Sequence, residues 1–88
     1  MKQIQPIDIW INGEIKTGVN FSVICVNDNY EDAATNYWKI LDADGQAISQ
    51  SNLSISGQDY IDWGNQPAMK INEWIYNWSA AKLNLTII

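Results

Sequence analysis

Hydrophobic and polar residues alternate along the first part of the chain, which is the pattern of a β-strand with two different faces. In IDIWINGEI, isoleucines occupy every second position, and Asp8 and Trp10 lie between them. An Asn-Gly dipeptide then interrupts the alternation and favours the positive φ angles of a two-residue hairpin turn. The pattern therefore predicts a strand over 7–11, a tight turn, and a short antiparallel return over 14–17.

The alternation continues beyond this hairpin and predicts further strands. Gly18 is expected to interrupt the chain as a bulge or bend, because a glycine inside a strand often marks such a site. A longer strand is predicted over 19–26, followed by a polar, acidic loop in VNDNYEDAA. The aromatic and branched segment TNYWKIL (35–41) predicts the first strand of a second hairpin, with Asp-Gly at its turn and a return over 46–56.

After an irregular loop predicted over 57–65, the pattern changes from a period of two to the period of a helix. Asn65 is expected to cap a helix that runs from Ala68 to about Lys82, with Pro67 in its first turn. Apolar side chains recur at helical spacing and form one stripe that is predicted to anchor the helix to the sheet. The predicted anchors are Ile71, Trp74, Ile75 and Trp78, and Ala81 continues the stripe.

The last six residues, LNLTII, return to strand alternation and predict a closing strand that pairs within the sheet or with a neighbouring subunit. A chain of 88 residues without a repeat or linker is expected to form a single small β-rich domain over 1–88. The predicted fold class is α+β. It is a small antiparallel sheet or sandwich of about five or six strands, with one amphipathic helix near the C-terminus and a final strand.

Composition excludes several classes of function. The chain has no histidine and one cysteine, which excludes a Ser-His-Asp triad, a Cys-His dyad and a tetrahedral Cys/His zinc site. Its 5 basic residues are all lysines and are scattered among 10 acidic residues, which argues against nucleic-acid binding. We therefore expect a protein that is not an enzyme and has no cofactor. An alternative hypothesis is that the acidic segment DNYED (28–32) binds a structural calcium ion, although it lacks the spacing of a calcium-binding loop.

The sequence shows no segment that predicts membrane insertion or export. No apolar run reaches the roughly 18 residues of a transmembrane helix, and MKQIQPIDIW lacks the apolar core and cleavage site of a signal peptide. Cys25 lies in the apolar run FSVICV and is expected to be buried as a small hydrophobic residue. These observations predict folding in a reducing cytoplasm, without disulfides and without contact with a membrane.

Apolar residues lie on both faces of several predicted strands. Trp10 alternates with isoleucines, and Trp38 alternates with Tyr37. One helix covers only one face of a sheet, so either a second sheet or a partner protein should cover the other. Abundant Trp and Tyr with few charges favour a protein–protein interface. The alternative is a small carbohydrate-binding or adhesion module that presents exposed Trp and Tyr to a glycan.

The segments IDIWINGEIKTG, ATNYWKILDADGQAISQSNLSISGQDYIDW and AAKLNLTII together resemble small virion-associated proteins of tailed phages and prophages of Bacteroidota bacteria. The resemblance covers nearly the whole chain and consists of turns and packing residues, without a catalytic motif. It implies a non-enzymatic structural or accessory component of a phage particle, either a capsid-surface decoration or a tail protein. Such a protein would assemble in the host bacterial cytoplasm and reside in the virion.

This resemblance implies that the partners are other virion proteins or further copies of the chain in a homo-oligomer. The predicted contact residues are aromatic side chains and the closing strand, whose free edge is expected to extend a neighbour's sheet. They are Trp10, Trp38, Tyr60, Trp63, Leu85, Ile87 and Ile88.

Overall fold

A computed structural model describes all 88 residues as an α+β fold in which a four-stranded antiparallel sheet carries two helices. The strands lie in the sheet in their sequence order, so each pairs with the next one along the chain. They are β1 (Lys2–Ile11), β2 (Glu14–Asp28), β3 (Ala33–Leu41) and β4 (Ala47–Ser56). The helices are α1 (Gly57–Gly64) and α2 (Ile71–Lys82).

Both predicted hairpins are present, and their turn residues have the conformations that the sequence indicates. At the β1–β2 turn, Asn12 and Gly13 have φ angles of 49° and 85°. At the β3–β4 turn, the Asp42 carboxylate accepts hydrogen bonds from the backbone N–H groups of Asp44 and Gln46, at 3.0 and 2.9 Å. Local side-chain and glycine chemistry therefore defines these two turns.

The hydrophobic core lies between one face of the sheet and the two helices. Alternation along β3 is regular, so every second residue of this strand is buried. The buried hydrophobic residues are Ile4, Phe21, Val23, Ala34, Trp38, Ile40, Ile55, Ile75, Tyr76 and Ala80. Tyr60 and Trp63 of α1 and Trp74 and Trp78 of α2 pack against this cluster while remaining partly exposed.

The two strands that were predicted on either side of Gly18 are one continuous strand, β2. Gly18 does not end the strand, and it pairs with Ile7 of β1. A Cβ atom at this position would lie 2.4 Å from Cγ2 of Ile40, so only glycine permits the observed approach of the core to the backbone. The glycine therefore marks close packing inside a strand. Because 14–17 and 19–26 belong to the same strand, the sheet has one strand fewer than predicted.

The predicted closing strand is reduced to a single β-bridge. Ile87 bridges to Ile4 of β1, and the Gln5 N–H donates to the Thr86 carbonyl at 2.8 Å. β1 itself begins at Lys2, earlier than predicted, and its register with β2 shifts between Gln3 and Ile7. A regular ladder cannot extend along this irregular edge, so the sheet has four strands instead of five or six, and no second sheet forms a sandwich.

The segment 57–65, predicted as an irregular loop, contains the helix α1. Tyr60 and Trp63 are three residues apart on this helix, so their rings meet edge to face at a centroid distance of 6.2 Å. Ser56 occupies the extended N-cap position, and Asp59 places an acidic group in the first turn. These start signals are present in the sequence, but glycines at both ends of a short segment also fit a loop.

The second helix begins at Ile71 instead of Ala68, and its N-cap is Lys70 instead of Asn65. Pro67 therefore precedes the helix and does not lie in its first turn. The buried face also differs from the predicted stripe, since it consists of Ile75, Tyr76, Ser79 and Ala80. Ile71, Trp74 and Trp78 are half-buried beside this face, whereas Ala81 is exposed.

The opposite face of the sheet carries no covering layer within the chain. Ile24 is exposed on β2, and Tyr37 and Lys39 are half-buried on β3. On the core-facing side, Cys25, which was expected to be buried, is exposed as a free thiol, because it lies beyond the last β1–β2 pair at Lys2 and Phe21. Neither helix is long and apolar enough to cross a membrane.

Candidate interaction surfaces

The outer edge of β4 is the longest unpaired strand edge in the protein. β4 pairs only with β3, in a regular register from Ser49 to Ser56. No backbone hydrogen bond outside the regular elements involves a residue of β4. The outward N–H and C=O groups of 49–55, which we call the β4 edge, therefore have no partner in the chain.

The β4 edge lacks the features that usually prevent edge-to-edge pairing. Natural edge strands carry charges, proline or bulges that block the approach of another strand. The segment SQSNLSI contains none of these residues, and the only irregularity of β4 lies earlier, between Ala47 and Ser49. Gln50, Ser51 and Asn52 are exposed on both faces of the strand. A further strand can therefore approach this edge without burying a charge.

The edge on the other side of the sheet is protected. β1 carries Pro6, which has no N–H to donate, and the register shift lies next to it. The C-terminal segment also covers this edge, since the Ile88 N–H donates to the Gln3 carbonyl at 3.0 Å. Thus only one of the two sheet edges is open along most of its length.

A small apolar patch lies at the end of the β1–β2 hairpin. Trp10 pairs across the strands with Ile15, and their side chains are 72% and 68% exposed. Next to them on the same face, the Thr17 hydroxyl donates to the Asp8 carboxylate at 2.9 Å. We call Trp10 and Ile15 the hairpin patch. It is a pair of large side chains that the chain itself leaves uncovered.

A cleft of about 450 Å³ lies between the sheet and the helices. Seven of its nine lining residues are hydrophobic, among them Val23 and Cys25 of β2 and Ile75 of α2. Asn36 of β3 and Trp63 of α1 also line it. Met1 and Asn72 line its rim, and no lining side chain is charged.

Two polar groups in the wall of this cleft have no hydrogen-bond partner in the protein. Asn36 is only 1% exposed, and neither its Nδ2 nor its Oδ1 is paired. The indole Nε1 of Trp63 is buried and unpaired as well. Ser79 Oγ is a further unpaired buried atom, but it does not line the cleft. Such groups are rare in folded proteins because burial removes their hydration.

The acidic loop between β2 and β3 uses its oxygen atoms to order its own backbone. Asn29 Oδ1 accepts hydrogen bonds from three backbone N–H groups, those of Glu31, Asp32 and Ala33, at 2.9, 3.0 and 3.1 Å. No group of three or more His, Cys, Asp or Glu side chains is arranged to hold a metal ion. The loop geometry is therefore that of a self-capped turn.

The same loop is attached to α1 through one side-chain hydrogen bond. The Tyr60 hydroxyl donates to Asp28 Oδ1 at 2.6 Å. This bond raises the pKa of Tyr60 from 10.0 to about 12, with smaller contributions from burial and from the negative charges of Asp28 and Asp32. The bond requires a protonated tyrosine, and it links the loop to the helix across 32 positions in the sequence.

The residues predicted to contact neighbours lie in different environments. Trp10 and Ile88 are exposed, at 72% and 71%. Trp38 is 9% exposed and belongs to the core, so it is not available as a contact surface. The others are half-buried and pack against the core. They are Tyr60, Trp63, Leu85 and Ile87.

Sequence reasoning missed the two most distinctive sites. The β4 edge was not identified because strand order is not visible in a single sequence, and the edge attributed to the C-terminal strand is occupied by its bridge to β1. Asn36 was not identified because a polar residue within TNYWKIL fits either face of a strand. The one available signal was its position: Asn36, Trp38 and Ile40 occupy every second residue and therefore lie on the same face of the strand.

Comparisons with known proteins return no match: no family model, no curated protein and no solved structure matches the chain.

Proposed function

We propose that this protein is a non-enzymatic structural or accessory component of a larger particle and that it acts through protein–protein contacts. Following the resemblance of its sequence segments, we propose that the particle is a phage virion, with the protein as a capsid-surface decoration or a tail component. Its partners would be other virion proteins or further copies of the chain.

The open β4 edge is the observation that carries this proposal. An exposed strand edge binds another chain by adding a strand to the sheet, with backbone hydrogen bonds as the main source of affinity. The β4 edge is uncharged, whereas the chain as a whole has a net charge of −5. Two copies that meet through this edge therefore avoid direct contact between like charges. A subunit edge of this kind serves assembly more readily than it serves the recognition of a small molecule.

The hairpin patch supports a second contact in the same particle. It lies on the β1–β2 hairpin, whereas the β4 edge belongs to the strand at the other end of the strand order. A protein with two separate contact sites can join two neighbours. In a symmetric shell, many weak contacts of this kind hold a subunit firmly because the contacts are linked.

The β4 edge is tested by adding two lysines to it. In the variant Ser51→Lys/Asn52→Lys, one lysine enters each face of the strand, and the positive charges oppose pairing with a second copy. We expect light scattering to show species larger than 10.0 kDa for the wild type as concentration rises. The edge variant should remain at the mass of the monomer at every concentration.

The matched control adds the same charge elsewhere. Asn65→Lys/Ala68→Lys changes two exposed residues between the helices, away from the β4 edge. This variant changes the net charge by the same amount as the edge variant but leaves the β4 edge intact, so it should assemble like the wild type. A wild type that stays monomeric at high concentration, or an edge variant that still assembles, would contradict self-association through the β4 edge.

A glycan-binding module is the second candidate, and one observation favours it. A cleft of about 180 Å³ on α2 is lined by Trp74 together with Gln66, Lys70, Glu73 and Asn77. An aromatic face beside several polar side chains suits a sugar, whose ring has apolar faces and hydroxyl edges. This candidate predicts that glycan-array binding is lost on Trp74→Ala and kept on Trp10→Ala. The absence of binding by the folded wild type would reject it.

A further inference from the structure

We infer that the 450 Å³ cleft is a binding site for a small, uncharged molecule that combines an apolar part with a carboxamide-like group. This site is separate from the β4 edge and does not depend on the proposed role in a particle. The inference rests on the unpaired polar atoms in the cleft wall and on the chemistry of the remaining lining residues.

The side chain of Asn36 is the central observation. Its neighbours across the sheet are Cys25 on β2 and Leu53 on β4, and neither offers a strong hydrogen-bonding group. The amide therefore has one donor group and one acceptor group with no partner, although the residue is only 1% exposed. A ligand that supplies an acceptor and a donor side by side would pair with both.

The indole of Trp63 adds a second donor to the same cleft. Its Nε1 is buried without a partner, and an indole N–H only donates. A carbonyl oxygen accepts two hydrogen bonds, so a ligand carbonyl placed between Asn36 Nδ2 and Trp63 Nε1 would satisfy both donors. An adjacent N–H on the ligand would donate to Asn36 Oδ1. A carboxamide presents this combination of groups.

The rest of the cleft determines the remaining properties of the ligand. Val23, Cys25, Ile75 and the ring of Tyr76 provide apolar surface, and no lining side chain is charged. A carboxylate in place of the carboxamide would set an acceptor, instead of a donor, against Asn36 Oδ1, so the site favours the uncharged carboxamide. Pockets for small molecules typically measure about 300–1,000 Å³, and the cleft lies within this range.

The test uses benzamide as a probe for the folded, ¹⁵N-labelled protein. Benzamide combines an apolar ring with an uncharged carboxamide, and benzoate has nearly the same shape with a negative charge. We expect benzamide to shift the NMR signals of the Asn36 side-chain NH₂ and the Trp63 indole N–H in a saturable manner. The indole signal of Trp10, which lies outside the cleft, should not move. Benzoate should leave all three signals unchanged.

Two variants attribute binding to the polar atoms. Asn36→Leu removes the donor and the acceptor and should weaken benzamide binding at least about tenfold. Trp63→Phe keeps an aromatic ring but removes the indole donor, so it should also weaken binding, and it provides a second test if Asn36→Leu does not fold. Trp10→Phe is the matched control and should bind like the wild type.

Three results would overturn the inference. The Asn36 and Trp63 signals could stay unchanged at saturating benzamide, which would show that the cleft does not accept a carboxamide. Benzoate could bind as well as benzamide, which would contradict selection by charge. Binding could also persist in both Asn36→Leu and Trp63→Phe, in which case the unpaired polar atoms do not recognise the ligand.

Discussion

The hydroxyl group of Tyr76 should contribute measurably to the stability of the fold. The Val23 N–H donates to this hydroxyl at 3.1 Å in a buried environment. Pairing between β1 and β2 ends at Lys2 and Phe21, so beyond this point the N–H groups on that side of β2 have no strand to bind. Tyr76 therefore replaces the missing strand at one position, and its hydroxyl serves as the acceptor.

Removing only this hydroxyl, as in Tyr76→Phe, leaves the ring in place. The edge-to-face contact with Phe21, at a centroid distance of 5.8 Å, should be preserved. The Val23 N–H would then be buried without an acceptor, which costs about 1–3 kcal/mol. For a domain of this size each kcal/mol lowers Tm by about 4–8 °C, so a loss of about 2 kcal/mol lowers Tm by about 8–16 °C.

The assay is urea and thermal unfolding followed by circular dichroism, combined with hydrogen exchange at the Val23 amide. Tyr37→Phe is the matched control, because its hydroxyl donates to Gln50 at the exposed face of the sheet. We expect the control to change the free energy of unfolding by less than about 0.5 kcal/mol. The reasoning is refuted if Tyr76→Phe is as stable as the Tyr37 control and the exchange of the Val23 amide is unchanged.

Two further predictions concern glycine packing and pH. Gly18→Ala should destabilise the fold by about 1–3 kcal/mol, because the new Cβ would lie 2.4 Å from Ile40. The control is Gly64→Ala, whose added Cβ would meet no atom within 4 Å, so it should leave stability unchanged or raise it by up to about 1 kcal/mol. Urea denaturation curves measure both variants, and equal stability of Gly18→Ala and Gly64→Ala would contradict the packing argument. Because the folded state raises the pKa of Tyr60 from 10.0 to about 12, the stability contributed by its bond to Asp28 is complete below about pH 10 and is lost as pH rises towards 12. Unfolding measured from pH 9 to 12 should therefore show a smaller decline for Tyr60→Phe than for the wild type, and equal declines would show that this proton is not linked to folding.

The sequence by itself determined the features that depend on neighbouring residues. Both hairpins follow from dipeptides that favour tight turns, Asn12-Gly13 and Asp44-Gly45. The burial of alternate residues in β3 follows from a period of two, and a helix around INEWIYNW follows from its spacing. Composition also limits the chemistry, because a chain without histidine cannot form a histidine-dependent catalytic site.

Tertiary structure decided which groups meet and which remain unpaired. The spacing of apolar residues predicts an inward stripe through Trp74 and Trp78, yet the buried face is centred on Ile75, Tyr76 and Ser79. On this face the Tyr76 hydroxyl accepts a hydrogen bond from the Val23 N–H, beyond the last β1–β2 pair. No local pattern reports where a distant strand ends.

The candidate sites also depend on contacts between residues that are distant in the sequence. An edge strand and a central strand have the same local alternation, so only the order of strands reveals that β4 has an open side. The unpaired state of Asn36 depends on its cross-strand neighbours Cys25 and Leu53, which lie 11 and 17 positions away in the sequence. Local chemistry thus specified the turns and strands, whereas long-range contacts determined the open edge, the cleft and the polar atoms within it.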